Sequence, residues 1–333
     1  MNFRNFELEY PKPFHNGKKW VYEDSPIYEN LLSCFWDTQH PEDSFKESPR
    51  LRDPFRKINN MTNQKLLGHK EDTYEKVDWV EADIGDSVKT ESILNEFKPD
   101  ILIHLAWSGI PDFSEYQCLQ NLRQSIDFIN HVLQNSNCKK ILVAGSCFEY
   151  NQMHGICHED SITEPKDFFT WAKLALLKYL LLSCDKHNVS LAWFRLFYVY
   201  GARQREGSLF PTLCKVFEEN SVPNLNTPKN ANDFIHVNDV ARAFELATSQ
   251  EFSSGIYNLG RGKSVSVVEF CKALEMLIKK DDSLTKMLIN NTSDSIEEIN
   301  FYASTVKAEE TFGWVAETSL ESGLKESLRN HNE

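Results

Sequence analysis

The sequence predicts an α/β chain: a parallel sheet covered by helices on both faces. Three observations carry this expectation. Short apolar runs such as "PDILIHLAW" and "KKILVAGS" alternate with amphipathic segments of helical period from residue 77 onward. Those runs are nearly continuous rather than alternating, which is the pattern of strands buried on both faces. Residues 1–60 follow neither pattern and stand apart as an atypical N-terminal segment.

Taken in order, "VDWVEADI" is expected as a strand ending in acid, and "SVKTESILNEF" as a short amphipathic helix. "PDILIHLAW" is a β-branched apolar strand, and "CLQNLRQSIDFINHVLQNS" a longer helix. "KKILVAGS" is a second buried strand. After a loop comes the helix "FFTWAKLALLKYLLLS", and then "VSLAWFRLFYVYG", expected as one continuous strand. Sheets of this type bind ligands beyond the carboxyl ends of their strands. Those ends carry Asp83, Leu105-Ala106-Trp107, Ser146 and Phe197-Tyr198. The charged, Pro-punctuated "HPEDSFKESPRLRDPFRK" marks a boundary near residue 60.

Composition narrows the partners. The 333 residues carry a formal net charge of −13, which argues against a general nucleic-acid or anionic-membrane surface, because phosphate binding needs clustered cations. No stretch approaches the roughly 20 apolar residues that span a bilayer, and "MNFRNFELEYPKPFHNGKKW" has no apolar signal core, so a cytoplasmic protein is expected. The eight cysteines are scattered with no C-x-x-C pair and read as reduced, mostly buried thiols. The cluster His154-Gly-Ile-Cys157-His158 lacks a second ligand pair nearby, so no metal site is expected.

The strand ends resemble, in register, the extended short-chain dehydrogenase/reductase family of NAD-dependent nucleotide-sugar epimerases, dehydratases and reductases. "EADIGD" resembles the end of that family's third strand, "IHLAWSG" its "HLAA", and "GSCFEY" its serine turn "SSxxVYG". Asn121 stands where the next helix usually has Asn. "RLFYVYGARQ" is similar to "RLFNVYGPRQ", and "NDFIHVNDVARAFELA" to "RDFIHVDDVARA". "GIYNLGRGKSVSVVEF" resembles the segment opening the last helices. The resemblance covers about residue 75 to the C-terminus and implies a Rossmann-like core over 61–201 and 233–264. It further implies a substrate-binding lobe over 202–232 and 265–333, with NAD or NADP as cofactor and a nucleotide sugar as ligand. The setting it implies is the synthesis of modified sugars for surface polysaccharides.

The resemblance also implies roles by position. Ser146 binds the substrate oxygen, although it could equally cap its turn. Lys173 bonds the nicotinamide ribose, the alternative being a solvated helix lysine. Asp83 and Ile84 border adenine, or Asp83 caps the next helix. Leu105, Ala106, Trp107 and Phe197 flank the cofactor; Trp107 replaces a small residue and either narrows that groove or packs in the core. Tyr198, Arg203 and Asn232 lie on the substrate side. A homodimer is implied through the helices at 117–135 and 168–185, with Leu122, Phe128, Leu176 and Leu180 as outward candidates, the alternative being that they serve only the core.

Three departures set this chain apart. Residues 1–67 hold a single glycine, Gly17, and no glycine-rich strand–turn–helix that could bring backbone amides against a pyrophosphate occurs anywhere in the sequence. That puts cofactor binding in question. Phe169 stands four residues before Lys173, where the family has its proton-exchanging tyrosine. Tyr198 or Tyr150 could supply a phenol instead, Tyr198 being the better placed. Asn232 takes the place of the diphosphate-contacting arginine, and Arg203 and Arg205 could substitute. An inactive relative that binds a nucleotide sugar or a sister subunit is the alternative reading, as is a rearranged gene product lacking the cofactor-binding βαβ.

Overall fold

The computed structural model describes residues 80, 82–151, 154–225, 227–290 and 299–331. The expectations for residues 1–60, the boundary near 60 and the opening of "VDWVEADI" lie outside them; residues 82–86 form a turn rather than a strand end.

That turn delivers α1 (Ser87–Phe97), whose N-cap Asp86 accepts the Lys89 amide; Lys98 in the left-handed region and Pro99 end the helix. β1 (Ile101–His104) follows, then α2 (Glu115–Asn135), capped by Ser114. β2 (Lys140–Ser146) leads to a single 3₁₀ turn, Cys147–Glu149, and to β3 (His154–Cys157). α3 (Phe168–His187) starts on a capping box built by Asp167 and Thr170. β4 (Ser190–Leu196) and β8 (Gly255–Leu259) complete a four-stranded parallel sheet in the order β1-β2-β4-β8.

Register explains the continuous apolar runs. Ile141 pairs with Leu191, and Val143 with Trp193; all four join Ile129, Val132, Leu176 and Leu180 under α2 and α3. Their neighbours Leu142, Ala192 and Phe194 turn to the other face. There they meet Val240 and Phe244 of α5 (Val237–Ser249) and Phe312 of α8 (Val306–Phe312). Both faces are therefore buried, and each large side chain so covered contributes roughly 1.5–3 kcal/mol. Leu176 and Leu180 are fully buried, and Leu122 and Phe128 are half-buried against the same core. This corrects the outward orientation expected for them: the apolar side chains exposed on these helices are Tyr116, Leu119, Phe168, Trp171 and Leu182.

The expected single strand over 189–201 is two. At Phe197 the chain changes partner: the Phe197 amide donates to Leu259, while the Tyr198 amide donates to Asp233. β5 (Tyr198–Tyr200) then pairs in parallel with β7 (Phe234–His236). A second sheet, ordered β3-β10-β6-β9, joins β3 to β10 (Asn300–Ala303), β6 (Ala231–Asn232) and β9 (Val265–Ser266). Beside it, α4 (Leu209–Glu218), α6 (Val267–Lys279) and α9 (Leu320–His331) pack Phe210, Phe217, Phe270 and Leu324 into a separate core. α7 (Ser283–Asn290) lies against α6. Among the described residues no helix is long and apolar enough to cross a membrane.

Candidate functional site

A cavity of about 250 Å³ opens where β2 and β4 end. Its lining includes Leu105, Trp107, Ser146, Phe169, Lys173, Phe197 and Tyr198. The fold thus gathers residues from four separate segments of the chain at one point beyond the strand ends.

Ser146 ends β2 in extended conformation and starts the 3₁₀ turn, its Oγ accepting the Phe148 amide at 3.2 Å. The turn is fastened from below. Glu149, with no exposed surface, accepts the Ser146 amide at 2.8 Å, the Trp193 indole N–H at 3.0 and 3.1 Å, and Arg195 Nε at 2.8 Å. Any side chain at Gly145 would collide with the Trp193 indole and the Glu149 carboxylate, so the close approach requires glycine. The Arg195 guanidinium lies 4.3 Å over the Tyr150 ring. The Tyr150 hydroxyl donates to Asn258 Oδ1 at 2.7 Å, and Asn258 Nδ2 donates to the carbonyls of Cys157 and Ser304. Tyr150 is buried in this network and does not line the cavity.

The opposite wall is aromatic. Lys173 Nζ donates to the Ala144 carbonyl at 2.9 Å and sits 3.9 Å from the Trp107 ring centroid and 5.9 Å from that of Phe169. Trp107 meets Phe169 edge-on, and Phe113 leans on Phe169 from outside. Asn121 holds the loop that carries Trp107: its Oδ1 accepts the Ser108 amide and its Nδ2 donates to the Ser108 carbonyl, both at 2.9 Å. Burial pushes the Lys173 pKa down to about 8, with Glu149 pulling the other way. Beneath it, His104 is paired with Ser125 Oγ at 3.0 Å; burial, then the Lys173 charge, push its pKa down to about 3.

Tyr198 closes the third side, edge-on to Phe148, Phe234 and Phe301. Burial raises its phenol above the usual value, with Cys147 adding to the shift. Asp233, behind it, accepts the amides of Arg261, Gly262 and Ala303, and burial still raises its pKa to about 6.

Of the residues singled out in the sequence, Leu105, Trp107, Ser146, Phe169, Lys173, Phe197 and Tyr198 converge on the cavity. Asp83, Ile84, Ala106, Arg203 and Asn232 are not in its lining. Asp83 is exposed and accepts the Gly85 amide of its own turn, while Asn232 is buried on β6 opposite Val265. Sequence reasoning missed Glu149, Trp193 and Asn258; Arg195, a charge inside an apolar run, was the available signal. His154 and Cys157, noted for their metal-like spacing, lie on β3 facing β10, and among the described residues no group of three or more His, Cys, Asp or Glu could hold a metal.

The described residues fit a dinucleotide cofactor at one end. Lys173 lines the cavity where a ribose hydroxyl could be held, and Leu105, Trp107 and Phe197 bound the space beside it. A pyrophosphate finds no glycine-rich turn anywhere in the sequence.

The NAD dependent epimerase/dehydratase family model matches residues 53–260. Curated relatives include CDP-abequose synthase of Salmonella muenchen, 29% identical over 40% of this chain and 45% of that protein. Another is UDP-glucose 4-epimerase of Pisum sativum, 28% identical over 72% and 75%. A third, dTDP-4-dehydro-6-deoxyglucose reductase of Escherichia coli, is 24% identical over 54% and 59%; in two of these three the matched stretch spans about half of the relative's length. Among solved structures, a tyrosine-to-phenylalanine mutant of UDP-glucuronic acid 4-epimerase from Bacillus cereus, in complex with NAD and a fluorinated UDP-glucuronic acid, superposes with a TM-score of 0.68. The superposition covers 92% of this chain and 96% of that one, at 16% identity. UDP-glucose 4-epimerase of Thermotoga maritima gives 0.64 over 83% and 94%, at 18% identity.

Proposed function

The chain belongs to the NAD-dependent epimerase/dehydratase family, and on that premise we propose that it binds a nucleotide-linked sugar and acts in the epimerase, dehydratase or reductase manner during synthesis of modified surface sugars. The observation that carries this is the convergence of Ser146, Lys173 and Tyr198 on one cavity beyond the strand ends. In this reading Ser146 holds the reacting sugar oxygen, Lys173 holds the nicotinamide ribose, and Tyr198 moves the proton that Phe169 cannot. NAD or NADP, when bound, supplies or takes the hydride. The lobe of residues 202–232 and 265–333 covers the sugar, and Arg203 and Asn232 reach it only if that lobe closes further. The protein works in the cytoplasm, as a homodimer through the exposed Trp171, Leu182, Tyr116 and Leu119.

Phe169 favours a second reading, in which the isolated chain binds the nucleotide sugar without turning it over and serves a sister subunit. One assay separates the two: conversion of nucleotide-linked hexoses and keto sugars with NAD, NADH or NADPH, followed by chromatography. Turnover that falls roughly 10²–10⁴-fold in Tyr198→Phe supports the first reading. Absence of turnover alongside measurable sugar-nucleotide binding supports the second. The missing glycine turn sets a related expectation, that NAD(H) binds more weakly than micromolar, since each lost charge-assisted bond is worth roughly 1.5–3 kcal/mol. A sub-micromolar Kd by calorimetry would contradict it. Light scattering of a monomer at micromolar concentration would remove the dimer.

A further inference from the structure

Among the described residues Lys173 is the one charged side chain in the lining of the cavity, and most of its ammonium is already engaged. An ammonium carries three N–H donors. One is donated to the Ala144 carbonyl at 2.9 Å. A second side is covered by the Trp107 indole, whose ring centroid lies 3.9 Å from Nζ. On the line to that centroid, an oxygen at the roughly 2.7–3.2 Å of a hydrogen bond would stand about 1 Å from the ring, far inside van der Waals contact. The indole and a ligand oxygen therefore exclude each other there. Phe169 flanks the cation at 5.9 Å, and Lys173 as a whole is 6% exposed. At most one N–H is left for a ligand, where the two neighbouring hydroxyls of a ribose would take two.

The indole is held where it stands. Trp107 is 4% exposed and meets Phe169 edge-on at 5.7 Å. The next residue, Ser108, is clamped to α2. Its amide donates to Asn121 Oδ1 and its carbonyl accepts from Asn121 Nδ2, both at 2.9 Å. Gln117 Nε2 donates to its Oγ at 2.9 Å and to its carbonyl at 3.3 Å. A cation over a ring face in so buried a place is a favourable contact that an arriving ligand has to give up. We propose that Trp107 competes with the cofactor ribose for Lys173, and so limits the affinity of this chain for nicotinamide nucleotides apart from any effect of the glycine turn. The inference rests on the reading that Lys173 serves that ribose. Trp107 acts through the lysine, on the wall opposite Ser146.

The probe is reduced nicotinamide mononucleotide, which carries the ribose but no pyrophosphate, so that the glycine turn plays no part. Calorimetry compares the full wild-type chain with Trp107→Leu and Trp107→Phe. Trp107→Leu fills space without a ring face and should bind the probe about tenfold more tightly than wild type, the factor that a desolvated cation–π contact represents. Trp107→Phe keeps a ring and should stay within about threefold of wild type. A role in packing alone would move both variants together. Competitive acetylation read by mass spectrometry gives a second measure, with exposed Lys178 as internal reference. Lys173 should react about tenfold faster in Trp107→Leu than in wild type. Should Trp107→Leu not fold, Trp107→Met carries the same comparisons, its flexible side chain filling the gap. Equal affinity in all proteins, weaker binding once the ring is gone, or an unchanged acetylation rate overturns the inference and leaves the cofactor reading standing. No binding by any of them at millimolar probe, with Lys173 acetylated faster in the leucine variant, overturns the cofactor reading of Lys173 and the inference with it.

Discussion

On the β2 side of the cavity, Ser146 is fixed by a buried carboxylate, an indole N–H and a guanidinium; on the α3 side, Lys173 is fixed by a carbonyl and two aromatic rings. The first wall is a polar network in which every charge has a partner. The second is mainly a packing arrangement around a cation with no carboxylate within ion-pair distance among the described residues. Phe169 belongs to that second wall: it keeps the shape of a ring between Trp107 and Phe113 and carries no proton. The polar wall presents the Ser146 hydroxyl at the cavity, while the aromatic wall presents the rings of Trp107 and Phe169 around one cation.

The largest effect should come from breaking the polar wall. Glu149→Ala strands Arg195, only 2% exposed, without its counter-charge. Breaking one side of a buried pair costs about 3–5 kcal/mol. At roughly 2–4 °C per kcal/mol, the figure for a somewhat shorter chain, the melting temperature should fall by about 6–20 °C, towards the lower end for 333 residues. Removing both charges in Glu149→Leu/Arg195→Leu should recover much of that loss, because two apolar side chains leave no orphaned ion. A thermal melt of Glu149→Ala within about 2 °C of wild type, less than the loss of 1 kcal/mol would give, would show that the network does not hold the turn.

That network also marks where sequence reading stopped. β1, β2 and β4 were legible because a strand buried on both faces leaves a continuous apolar run, and α2 because its apolar residues repeat at helical spacing. Ser146, Phe197 and Tyr198 were legible as the ends of those runs, and Lys173 only through the resemblance to the family. The partners of the turn were not. Trp193 and Arg195 lie 44 and 46 positions from Glu149, Asn258 lies 108 from Tyr150, and all three arrive only through sheet pairing. β3 escaped for the same reason: a four-residue strand paired with β10, far along the chain, carries no local period. The break at Phe197 was hidden by an unbroken apolar run, because a change of hydrogen-bond partner leaves no mark on hydrophobicity.

A smaller effect should separate the two walls by pH. Burial depresses the Lys173 pKa from 10.5 to about 8, so the folded state disfavours its charge by about 3 kcal/mol wherever both states are protonated. Below about pH 8 that cost is fully present. It fades as pH rises towards 10.5, because there the folded chain has released a proton that the unfolded chain still holds. Lys173→Met removes the charge and also the bond to Ala144, worth about 1 kcal/mol. The variant should therefore be about 2 kcal/mol more stable than wild type at pH 7, and the gain should shrink and then reverse towards about pH 10. The buried thiols and phenols, whose raised values act in the opposite direction, cancel in the difference. Of the facing groups, His104 stays neutral across this window and Glu149 stays paired with Arg195. A stability difference that does not change with pH in urea titrations would mean that Lys173 is not desolvated as the structure places it.

The smallest effect should come from putting the missing hydroxyl back. Phe169 is 7% exposed and already sits in contact with two aromatic rings, 5.9 Å from the Lys173 ammonium. A phenol there is close enough to the cation for its pKa to be drawn down, and stability should change by no more than about 1 kcal/mol, the net worth of one hydrogen bond against one desolvated hydroxyl. Turnover should change little in either reading of the function. If Tyr198 already moves the proton, a second donor is redundant and only Tyr198→Phe abolishes activity. If the chain is silent, a proton donor without a glycine turn to seat a hydride carrier restores one half of a reaction that needs both. A tenfold or greater rise in sugar-nucleotide turnover by Phe169→Tyr would break the comparison between the walls, since it would show that the aromatic side lacks one oxygen atom and nothing else.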